Sequence, residues 1–155
     1  MTAIEILIAD SLAASLSLAA FDGAIGGVDA VRTYTPDYTT EELADLKVSV
    51  VPGPVEVTNH TRQADLFECE IHVVIGKKFD DDDEIDDLQE LRTNIVDAIR
   101  SRTLPVSAPP MPEGVAWMGI TNAVTFDQDQ VTKSRVFLAD IAITYRYANA
   151  KVGSP

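Results

Sequence analysis

The chain has 155 residues, 46% of them hydrophobic, enough for one domain with a core of its own. Twenty-five acidic side chains against twelve basic ones leave a formal charge of −13, which sets a general repulsion against phosphate backbones and disfavours a lasting grip on nucleic acid. That charge still permits a duplex to slide past an acidic wall.

The first segment places Ile4, Leu7, Ile8, Leu12 and Leu16 three or four apart, which predicts a helix with one apolar stripe and with Glu5 and Asp10 toward water. Residues 4–20 superficially resemble a signal sequence, but residues 1–5 hold no Lys or Arg, and Glu5 and Asp10 interrupt the apolar run. The segment is therefore read as a helix of the mature protein. No window supplies the roughly 18 apolar residues of a membrane span.

Three glycines in residues 21–27 predict the helix end and a flexible hinge, followed by a strand over 28–35 that Pro36 closes. Leu46, Val48 and Val50 alternate with Lys47 and Ser49 as a half-buried strand does, and Pro52-Gly53-Pro54 predicts a forced turn after it. Residues 55–58 then begin a further strand, and the polar residues 59–63 form a loop or hairpin tip. The clearest strand is 66–75, where Phe67, Cys69, Ile71, Val73 and Ile75 share a face. Cys69, the single cysteine, allows no intrachain disulfide; on that face it is a small buried hydrophobe, which suits folding in a reducing, intracellular compartment.

The run Asp80-Asp81-Asp82-Asp83 opens a second helix, with Asp83 as N-cap, Asp86 three residues on, and carboxylates at the positive end of the helix dipole. Ile85, Leu88, Leu91, Ile95 and Ile99 form the stripe that covers the sheet. Residues 103–114 carry Pro105, Pro109, Pro110 and Pro112, too many for a helix or paired strand, and predict a stiff projecting arm. Strands over 115–126 and 134–147 complete the pattern, joined through the polar residues 127–133. In the last of them Phe137, Ala139, Ile141, Ile143, Tyr145 and Tyr147 share one face. The expectation is an α+β domain over residues 1–147, a mainly antiparallel sheet of about five strands with two helices on one face in the order αβββαββ, and a flexible tail at 148–155.

Reaction chemistry finds no anchor. Gly23, Gly26 and Gly27 lack the Lys-Ser/Thr of a P-loop, and no Gly-x-Ser-x-Gly elbow occurs. Cys69 and His72 are three apart on a strand, so they point to opposite faces and do not share a metal. Consecutive aspartates diverge, unlike the alternating ligands of an EF-hand, which leaves an acidic, divalent-ion-binding domain as a distant alternative. No catalytic residue, cofactor or metal ligand is assigned. The candidates are surfaces: Asn59, His60 and Arg62 at the hairpin tip, Pro105, Pro109, Pro110 and Pro112 in the arm, and Trp117 beside it as an anchor.

Taken together, the residues 46–53, Thr61-Arg62, the strand 70–78, the helix start Ile85-Asp86-Asp87-Leu88 and the closing strand 137–145 resemble the tail terminator, or tail-completion, proteins of long-tailed bacteriophages. The resemblance spans most of residues 3–147 and lies in element order and patterning; the long proline-rich connection departs from it. It implies a structural virion protein, made in the bacterial cytoplasm, that forms a homo-oligomeric and expectedly hexameric ring at the head-proximal end of the tail tube. Such a ring ends tube polymerisation and joins the tail tube protein to a neck or head-completion protein while DNA passes through the lumen. A neck, head-completion or tail-tube subunit is the neighbouring alternative.

Overall fold

The computed structural model describes residues 3–39, 41–59, 61–106, 110–124 and 135–150. Helix α1 (Ile4–Leu18) buries Ile8, Leu12 and Leu16 on the expected stripe, and the Ala19 amide closes it by donating to the Ser15 and Leu16 carbonyls. The glycine-bearing loop that follows was expected to be a hinge. Instead it is anchored, because the Phe21 amide donates to the Gly26 carbonyl and the Asn94 side-chain amide donates to the Asp22 carbonyl. Gly23 and Gly26 supply the positive φ that this tight return needs.

Strand β1 (Ala30–Arg32) is shorter than the sequence suggests and runs parallel to β2 (Lys47–Asn59). A link through a short 3-10 turn, Glu42–Ala44, brings the chain back so that both strands point the same way. β2 corrects a second expectation: Pro52-Gly53-Pro54 does not end the strand. The register against β3 (Ala64–Lys78) shifts between Pro52 and Val55, and the chain carries on as one strand. A bulge leaves residues out of the ladder, so a proline that cannot donate costs nothing there.

The N-cap of α2 (Asp82–Ser101) lies two residues before the expected one. Asp81, not Asp83, accepts the Glu84 amide at 3.0 Å, and the Glu84 carboxylate accepts the Asp80 amide at 3.3 Å, a capping box displaced along the run. Arg102 ends the helix at φ 56, and the Thr103 amide reaches back to the Ala98 carbonyl at 3.0 Å.

β4 (Ala116–Val124) and β5 (Val136–Ala150) complete the sheet in the order β1-β2-β3-β5-β4, antiparallel except at β1. This is the α+β architecture expected, with two helices and five strands. β5 runs past the expected boundary: Ala148, Asn149 and Ala150 pair with Leu66, Asp65 and Ala64, so the first three residues of the expected tail belong to the sheet, and 151–155 lie outside the described residues. The loop 127–133 lies outside them as well.

The core sits between the helices and the centre of the sheet. Ile71 pairs with Ile143 and Val73 with Ile141, and all four are buried with Phe137, Leu88 and Ile95. On the opposite face the link before β2 covers one end: the Tyr38 hydroxyl meets the wholly buried Ser49 hydroxyl at 2.5 Å, and Leu43 packs over Gly76.

Candidate functional site

The surfaces singled out from the sequence fall into two places. Asn59 ends β2 opposite Asp65, and Arg62 stands exposed in the β2–β3 turn; His60 lies outside the described residues. The Thr61 hydroxyl shapes this turn by accepting the amides of Gln63 at 3.2 Å and Ala64 at 2.9 Å. Val57, on the same turn-proximal stretch, is exposed, while Phe67 and Tyr147 stack at 6.3 Å between ring centres on the neighbouring strands.

Pro105, Pro110 and Trp117 come together elsewhere, around a cavity of about 370 Å³ between α1, the end of α2 and β4. Leu104 and Met111 are half-buried against the core, so the described parts of the connection 103–114 lie on the body and do not project as an arm. Apolar side chains spaced between the prolines supply the reason: Leu104, Met111 and Val115 gain more by covering the end of the core than by facing water. Pro112 accepts the Val115 amide at 3.3 Å in the turn before β4, and Pro109 lies outside the described residues. Trp117 packs toward the core from β4 and is half-buried. Val106, 88% exposed, stands free of this covering.

A polar cluster that the sequence did not reveal occupies the sheet face away from the helices. His72 places Nδ1 2.8 Å from Asp140 Oδ1 and Nε2 2.7 Å from Glu70 Oε1, and Arg146 pairs with Glu68 at 3.0 Å. Glu70, two residues before His72, was legible as a neighbour on that face. Asp140 was not, because its approach depends on the β3–β5 register, in which Asp140 lies opposite Val74.

Cys69 lies on the core face, 1% exposed, opposite the side that carries His72. Burial first, and then the Glu5 carboxylate, push its thiol up to about 11, which keeps it protonated and inert. Burial likewise raises the Tyr145 phenol beyond its ordinary range. Among the described residues no group of three or more His, Cys, Asp or Glu side chains is placed to hold a metal ion. None of the described helices is long and apolar enough to cross a membrane.

No protein-family model matches the chain, and no curated protein matches it. The candidate surfaces are a turn tip, a half-open cavity and, among the described residues, the two outer edges of one sheet.

Proposed function

We propose that this chain is a structural virion subunit, a tail terminator of a long-tailed phage, that acts by association and forms a ring at the head-proximal end of the tail tube. The ring ends tube growth, receives a neck or head-completion protein, and lets DNA pass without gripping it. The observation that carries this reading is the subunit's form: a five-stranded sheet with helices over one face and, among the described residues, two different edges, β1 and β4, at the outside. Edges of this kind are an association hazard in a lone subunit and an assembly device in a closed ring. The α+β element order is the one that the resemblance implies, and the charge of −13 suits a wall that DNA slides past.

Electron microscopy of the purified full chain, alone and with its cognate tube subunits, tests the proposal. The expected result is rings that do not stack and tubes of limited length in the mixture. Long cylinders from the chain alone point instead to a tube subunit, and tubes of unchanged length defeat the terminator reading.

A further inference from the structure

Six large apolar side chains are exposed among the described residues, and five of them gather at the two opposite edges of the sheet. Val31 lies on β1 and Tyr34 just after it. Leu18 joins them from the end of α1, which is held at this edge by the Ser17 hydroxyl bonded to both backbone groups of Ala30 at 2.9 and 3.2 Å. On the other side Met118, 47% exposed, stands at the register shift of β4, and Val106 stands on the connection beside that strand.

Charge separates the same two sides. Residues 29–45 carry Asp29, Asp37, Glu41, Glu42 and Asp45 against one base, Arg32, which is already held by Asp10 at 2.5 Å. The β4 side is balanced: residues 97–121 carry Arg100 and Arg102 against Asp97 and Glu113, and Arg100 is already held by Asp97 at 3.0 Å. On a chain of charge −13, the side without net charge, with Arg102 as its base, is the natural seat for the acidic side of another copy.

We propose that the partner of each edge is a second copy of this chain, with the β1 edge of one subunit seated on the β4 edge of the next. Val31, Tyr34 and Leu18 meet Met118 and Val106, and the acidic stretch 29–45 faces Arg102. The contact is made by side chains, since β1 has three residues and the Ala30 backbone groups are already bonded. A symmetric pair through the β1 edge would set like charge on like. A contact between unlike edges is heterologous and leaves each subunit with one used and one free side until a ring closes. This assignment rests on the ring reading above and names the surfaces that build the ring.

Two full-length variants, Val31→Cys and Met118→Cys, are made separately and treated with a short bismaleimide alone and mixed. Buried Cys69 does not compete. The expected result is a cross-linked dimer in the mixture and none with either variant alone. Cross-linking of Val31→Cys or of Met118→Cys with itself overturns the heterologous contact. Rings by microscopy with no cross-link in the mixture overturn this contact and leave the ring reading standing, whereas failure to form rings with or without tube subunits overturns both. In sedimentation, Arg102→Glu is expected to weaken association a few-fold, and Arg102→Glu mixed with Asp37→Arg to regain it. Unaltered association of Arg102→Glu, with unchanged circular dichroism, defeats the assigned charge pairing.

Discussion

The Cys69 thiol shows how one buried group leaves a mark in solution. A cysteine whose ordinary value is 9.0 is held at about 11 in the folded chain, so the native state keeps a proton that the unfolded chain gives up. Stability is therefore unaffected by this group below pH 9 and falls as the pH rises from about 9 to about 11. Tyr145, raised by burial as well, adds to the loss at the alkaline end. Denaturant titrations at pH 8, 9.5 and 11 are expected to show a declining midpoint, with a shallower decline in Cys69→Ala. That variant also loses part of a core side chain, so the comparison is of slopes and not of absolute midpoints.

Element boundaries are set by single contacts. Asp81 holds the Glu84 amide, one of those that the first turn of α2 leaves unpaired, so Asp81→Ala is expected to cost about 1 kcal/mol in denaturant unfolding, while Asp83→Ala, inside the helix, costs less than half of that. Equal losses would mean that the cap is shared along the run. In β2 the bulge rests on Gly53, where an added Cβ would lie 2.5 Å from the Glu70 carbonyl oxygen, a backbone atom with nowhere to go. Gly53→Ala is accordingly expected to destabilise by roughly 1–3 kcal/mol, read from the same titration. A neutral Gly53→Ala would show that the bulge can relocate. Side-chain periodicity made β3, β5 and the α2 stripe legible in the sequence, because alternation and 3.6-residue spacing record which face is buried. The continuation of β2 through two prolines was not legible, since a register shift is a relation between two strands. Nor was the packing of Leu104 and Met111 against the body, which follows from an uncovered end of the core that only the assembled helices define. Of the candidate site, Trp117 and the turn at Arg62 could be placed from local pattern; which strands form the outer edges required the strand order.

At the scale of the whole molecule, net charge and edge chemistry pull in opposite directions. Every copy carries −13, so two copies repel at long range, while the apolar side chains at the β1 and β4 edges attract only at contact. Salt separates the two, because it shortens the reach of the repulsion and leaves apolar contact intact. Raising ionic strength from about 0.01 M to about 0.1 M cuts the Debye length from about 30 Å to about 10 Å, from the scale of a subunit to that of a single contact. Local attraction between Arg102 and the stretch 29–45 is weakened over the same range, but it is one base against a repulsion that involves the excess charge of the entire chain. The assembled fraction, measured by sedimentation at fixed protein concentration, is therefore expected to rise with salt across this interval. A fall instead would mean that the unlike charges of the two edges outweigh the net charge, and the ring would then be held chiefly by ion pairs and not by its apolar edges.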